Sequence, residues 1–231
     1  MAVAARPYVL LSAAMSIDGY LDDASEARLM LSNEADFDRV DEVRAGVDAI
    51  LVGAGTIRRD NPRLLIRSVG RQEQRIRRGM AGQPMKVTLT GRGDLDVTAR
   101  FFTCGDSEKF VYARDSAVRA CREALGDAAT VVAAGDPIDL VAMLDDLGKR
   151  NVQRLMVEGG GTVHTQFLSA GLVDEIQVVI APFFIGDHGA ARFVHPGRFP
   201  QSPDHPLTLA EARQMGDVVL LRYLTRPDGA R

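Results

Sequence analysis

Twice in this chain a short strand-like run is followed at once by glycine. Residues 47–52 lead into Gly53 and Gly55; residues 152–157 lead into Glu158 and then Gly159, Gly160 and Gly161. Runs this short suit buried strands better than helices. Strands that alternate with helical segments build a mostly parallel sheet covered by helices. In such a sheet ligands gather beyond the carboxyl ends of the strands. Glycine there lets the backbone take a positive φ or come close to a ligand, and the amides of a following helix start can hold an anion. A tight turn is the alternative at each place.

The same reading puts further strands at 7–15, 85–90, 109–112, 130–133, 173–181 and 218–223. It puts helices at 34–43, 117–125, 139–147 and 162–170. Ser32 or Asn33 caps the first helix, and Phe37, Val40 and Val43 give it one apolar stripe. Residues 52–62 read as a loop that runs on to Arg67, with a short extended piece at 64–66. Residues 68–83, rich in Arg and Gln, read as an exposed connection. The Pro-rich stretch 193–209 covers a sheet edge or meets a partner. The expected fold class is α/β: a mostly parallel central sheet with helices on both faces and a C-terminal antiparallel extension. The expected organisation is a single domain over 1–231, with its core at about 6–225.

Several function classes fall away. A net charge of -3 provides no global field for nucleic acid or an anionic membrane. No run of 18 apolar residues spans a membrane. The two cysteines, Cys104 and Cys121, lie far apart, as in a reducing cytoplasm. The four histidines form no metal-binding pattern, so no metal is expected. P-loop and serine-hydrolase signatures are absent.

The candidate site residues cluster at the strand ends. Gly53, Gly55 and Thr56 follow one strand; Glu158, Gly160, Gly161 and Thr162 follow the other. Arg58 and Arg59 either meet a phosphate or form a solvated basic face. Arg67 is the better anion candidate, because Asp60, Asn61 and Pro62 form a stiff approach to it. Asp18 is either an Asx-turn acceptor or a substrate contact. Glu158 is either a helix-start carboxylate or a substrate contact that relays a proton.

Four blocks then line up: 15–19 (Met-Ser-Ile-Asp-Gly), 48–56 (Asp-Ala-Ile-Leu-Val-Gly-Ala-Gly-Thr), 60–64 with Arg67, and 158–161 (Glu-Gly-Gly-Gly). In order and spacing they resemble the riboflavin-biosynthesis pyrimidine reductases, over about residues 6–225. The resemblance implies a dihydrofolate-reductase-like fold, NADPH as cofactor, a phosphorylated small-molecule substrate and a homodimer. The implied reaction reduces 5-amino-6-(5-phosphoribosylamino)uracil, or its diamino-pyrimidinone analogue, to the ribitylamino compound. Carried over residue by residue, Ala14, Thr56, Asp60 and Gly160, Gly161, Thr162, Val163, His164, Thr165 and Gln166 meet the cofactor, and Gly53 and Gly55 join them by their place after the strand. Leu64, Arg67 and Glu158 meet the substrate by the same carry-over, Asp18 is a substrate candidate from its place at a strand end, and Glu158 is the catalytic candidate. Two departures bear on the substrate: the segment 20–30 differs from the family, and Leu64-Leu65-Ile66-Arg67 stands where Leu-Thr-x-Arg is usual. A same-fold NADPH reductase of another carbonyl, imine or pterin-like compound, and a non-catalytic nucleotide-binding module, are the competing readings.

Overall fold

The computed structural model describes residues 6–25 and 29–225. Glu26, Ala27 and Arg28 of the divergent segment lie outside the described residues. In chain order the elements are β1 (Tyr8–Ser16), α1 (Glu34–Ala45), β2 (Ala49–Gly53), α2 (Ala54–Asp60), α3 (Val69–Arg77), β3 (Met85–Thr90) and α4 (Arg100–Thr103). There follow β4 (Lys109–Ala113), α5 (Val118–Leu125), β5 (Thr130–Ala133), α6 (Leu140–Lys149), β6 (Arg154–Gly159), α7 (Gly161–Ser169), β7 (Glu175–Ala181), β8 (Thr208–Met215) and β9 (Val218–Leu224). The strands follow the order β5-β4-β3-β2-β6-β1-β7-β9-β8. This is the expected α/β fold, mostly parallel, with β7-β9-β8 as an antiparallel extension.

The chain forms two compact units, one of residues 1–8 and 41–156, the other of 9–40 and 157–231. In the first, β2, β3, β4 and β5 pair in parallel, with Val52 opposite Thr88 and Thr88 opposite Val111. Every residue of β2 is buried, as a strand covered on both faces requires. β5 was expected to be buried as well; both its ends are exposed, because it is the last strand in the order. Asp139 caps α6 by accepting the amides of Val141 and Ala142, and Met143, Leu144 and Leu147 face the core.

Residues 68–83 are not a loose connection. Ser68 accepts the Arg71 amide and starts α3. The helix is anchored by Arg75, only 3% exposed. Its guanidinium donates to the carbonyls of Ala45 (3.0 Å), Val47 (2.6 Å) and Ala81 (2.9 Å). The sequence pattern missed the helix because a cation holds it; its apolar residues Val69 and Ile76 point outward.

In the second unit β1 pairs with β7 in parallel, β7 with β9 antiparallel, and β9 with β8 antiparallel. Val179, Met215, Val218 and Leu220 pack together, and Ala14 lies against them. β8 had no apolar alternation to announce it, for only Met215 is buried; its ladder with β9 defines it. α1 starts at Asn33, whose side chain accepts the Asp36 amide at 3.1 Å. The expected stripe of Phe37, Val40 and Val43 is only half-buried. The buried positions nearby on α1 are charged. Arg39 bonds Asp36 at 2.6 Å and Gln177 at 2.5 Å, Gln177 bonds Glu175 at 2.8 Å, and Arg222 bonds Glu175 at 2.6 Å. Each buried charge is thus matched by a partner, as burial of ions demands.

Candidate functional site

In the second unit the carboxyl ends of β1 and β7 are tied together by one carboxylate. Asp18 accepts the Ser16 hydroxyl at 2.6 Å and the amides of Ile185 and Gly186 at 3.1 and 2.8 Å. The Ser16 hydroxyl, joined by those amides, holds the Asp18 carboxyl below the ordinary carboxylate value against a smaller effect of burial. These amides lie 167 and 168 positions away, so the carboxylate joins two distant chain segments rather than closing a local Asx-turn. Glu158 sits half-buried near the end of β6.

Each of the three glycines that follow has its own reason. Gly159 and Gly160 have φ of 134° and 46°, the region where side chains are strained. A Cβ on Gly161 would lie 2.1 Å from the Arg192 carbonyl oxygen. The group that comes close here is therefore the chain itself. The segment 192–195 is docked on α7: the His195 amide donates to the Thr165 hydroxyl at 2.8 Å, and His164 Nδ1 lies 3.1 Å from the Phe193 carbonyl. From its other side this segment reaches the turn after β1, through Arg192 to the Tyr20 hydroxyl and the Phe193 amide to the Gly19 carbonyl.

A carbonyl only accepts, so Nδ1 of His164 carries the proton and Nε2 is a lone pair. That lone pair is buried and has no hydrogen-bond partner among the described residues. It lies 3.7 Å from the position of a Cβ on Gly159. Burial pushes the imidazole down to about 4, against the opposing bond to Phe193. The side chains of Val163 and His164 face the interior, while Thr162 and Gln166 are exposed. No side chain caps α7, so its first turn presents backbone amides.

In the first unit Gly53 and Gly55 were read as a loop. The chain instead passes straight from β2 into α2, with Gly53 at φ −73°. Neither glycine needs a positive φ, because the turn is made by the helix start itself. Thr56 is half-buried and Asp60 exposed on α2. Arg58 reaches Asp94 at 2.7 Å, an ordinary surface pair. α2 stops at Asn61, in the left-handed region with φ 42°, and the Asn61 side chain accepts the Arg100 amide at 2.7 Å.

Residues 61–68 have no regular structure, yet side chains pin them one after another. Leu64 is 3% exposed with φ 51°, a strained setting for a bulky residue. Arg44 of α1 donates to the Leu65 carbonyl at 3.1 Å, and Gln83 brackets the Ile66 amide and carbonyl at 2.8 and 3.0 Å. Asp41 accepts the amides of Arg67 at 2.5 Å and Ser68 at 3.2 Å, and the Arg71 guanidinium at 3.1 Å. Burial opposes the Asp41 charge, and the Arg67 and Ser68 amides with Arg71 outweigh it, so its carboxyl stays below the usual range. The Arg67 side chain remains 64% exposed, with Nε 3.8 Å from Asp41. Arg44, Asp41 and Arg71 escaped the sequence reading, since nothing in α1's spacing or in 68–83 marks them.

Residues 7–221 match the family described as the RibD C-terminal domain. The chain belongs to that family. It is 38% identical over 181 residues to the 2,5-diamino-6-ribosylamino-4(3H)-pyrimidinone 5′-phosphate reductase of Archaeoglobus fulgidus, covering 78% of this chain and 83% of that one. It is 31% identical to the protein of the same name from Methanothermobacter thermautotrophicus, covering 96% and 99%. A pyrimidine reductase-like protein from Corynebacterium diphtheriae has the same fold, with TM-score 0.78, 24% identity and coverage of 96% and 93%. Membership of the RibD family places the chain among dihydrofolate-reductase-like oxidoreductases. Its expected site residues fall on both units: Ala14, Asp18, Glu158 and 160–166 on one, Gly53, Gly55, Thr56, Asp60, Leu64 and Arg67 on the other.

Proposed function

We propose that the chain is an NADPH-dependent reductase of riboflavin biosynthesis that converts 2,5-diamino-6-ribosylamino-4(3H)-pyrimidinone 5′-phosphate to its ribitylamino product. One observation carries this reading: the likeness to two reductases of that name, in one case over 99% of the relative's length. The uracil counterpart, 5-amino-6-(5-phosphoribosylamino)uracil, is the second substrate to be compared.

The residues present fit a dinucleotide phosphate. α7 starts without a side-chain cap, and two glycines before it have positive φ. Backbone amides at such a start favour an anion. We assign the cofactor phosphates to this turn, with Thr162 and Gln166 at its surface, and assign Thr56 and Asp60 to the cofactor as well. NADPH, when bound, supplies the hydride that reduces C1′ of the opened ribose. The protein's part is placement: Arg67 holds the substrate phosphate, and binding energy far from C1′ orients it. Glu158 hydrogen-bonds the substrate and stands as the proton-handling group for ring opening.

The test is NADPH oxidation by the purified chain with each of the two phosphoribosylamino compounds. Turnover with the diamino compound, at least tenfold above the uracil, is expected. A reversed preference selects the uracil. No turnover with either, alongside NADPH binding, leaves another substrate of the same fold or a nucleotide-binding module.

A further inference from the structure

We propose that Arg71 is a second phosphate ligand, held beside Arg67 by the buried carboxylate of Asp41, so that two guanidiniums rather than one take the 5′-phosphate. This rests on the reading of the substrate as a phosphorylated ribosylamine.

Three observations carry it. First, Asp41 is nearly closed to solvent, its side chain 3% exposed, yet it reaches both arginines: Arg71 Nη1 at 3.1 Å and Arg67 Nε at 3.8 Å. Second, the same carboxylate accepts the main-chain amides of Arg67 and Ser68. It thereby fixes the backbone from which one arginine projects and the start of the helix that carries the other. Third, the two side chains differ in exposure, 64% for Arg67 and 22% for Arg71. One is presented to solvent and the other is held close to the anchor. Both arginines meet one carboxylate, and a phosphate has oxygens enough to bridge two guanidiniums. Asp41 touches no substrate in this scheme; it is a positioning residue.

The experiment uses the whole chain and two probes. Ribose 5-phosphate, with ribose as control, is titrated calorimetrically into the wild type, Arg71→Ala, Arg71→Lys and Arg67→Ala. Michaelis constants are measured for the phosphorylated substrate and for its dephosphorylated form. Arg71→Ala is expected to weaken ribose 5-phosphate on the order of tenfold or more. It is expected to raise KM for the phosphorylated substrate by a similar factor, with little change for the dephosphorylated one and none in NADPH affinity. Arg71→Lys recovers part of the loss. Asp41→Asn tests the anchor, and its effect is to weaken ribose 5-phosphate in a protein that still binds NADPH.

Ribose 5-phosphate affinity unchanged in Arg71→Ala overturns the proposal. So does an equal KM rise for both forms of the substrate. Should the wild type turn over neither pyrimidine, the functional reading fails, and the ribose 5-phosphate titration still decides the role of Arg71. Should Asp41→Asn not fold, the Arg71 variants decide alone.

Discussion

Lys86 shows what a single buried residue can cost and how to measure it. It is 0% exposed on β3, and its ammonium donates to the carbonyls of Phe101 at 3.1 Å and Cys104 at 2.6 Å. Burial first, then the nearby Lys109, brings its pKa down to about 8. The unfolded chain therefore binds more protons than the folded one between about pH 8 and the ordinary lysine value. Stability from this group rises with pH in that window and falls as pH drops through 8. Between pH 8 and 9 the gain is about 1 kcal/mol. Comparing urea midpoints of the wild type and Lys86→Met at both values isolates it. A difference that stays constant with pH would mean the lysine keeps its full charge inside throughout this range, its pKa not lowered by burial. At this scale the site was only partly legible. The glycines 159–161 were marked correctly as positions of special need, though one need is set by Arg192. Gly53 and Gly55 looked similar, yet neither takes a positive φ. Arg67 was visible because a stiff segment leads to it; Asp41 and Arg71 were not, since their meaning arises only when α1 and α3 are folded.

Elements with apolar spacing or a clear cap were readable from the chain. β3 and β5 have the expected limits, and α6 has its expected core face with Asp139 at its start. Elements held by polar groups were not. α3 hangs on the Arg75 guanidinium, β8 on a hydrogen-bond ladder, and the buried side of α1 on Asp36, Arg39 and Asp41. The difference yields an expectation for α3. Arg75→Met keeps most of the stem but strips the donors from three carbonyls, a loss on the order of 3 kcal/mol. Val69→Ser and Ile76→Ser remove exposed apolar groups and should stay within about 0.5 kcal/mol. Chemical denaturation of the three variants gives the comparison. Equal effects would show that α3 is anchored by its apolar residues instead.

For the whole molecule, the order in which the chain is laid down matters. The chain passes between its two units after residues 8, 40 and 156, so neither unit is a continuous stretch. Val9 is bonded to Asp174 across 165 positions, and β1 runs alongside β7 through seven register pairs. A strand made first has its neighbour made almost last. At ribosomal speeds of about 5–20 residues per second, the β7 side of β1 waits on the order of ten to thirty seconds for its partner. Contacts this distant also slow folding from the denatured state. Chains arrested before residue 175 should leave β1 open to protease and to chaperones, whereas chains released after residue 224 should protect it. Protection of β1 in the shorter chains would show that it finds its place without β7. The first strand of this enzyme is thus the one most exposed to the hazards of synthesis, although in the finished fold it lies between two neighbours.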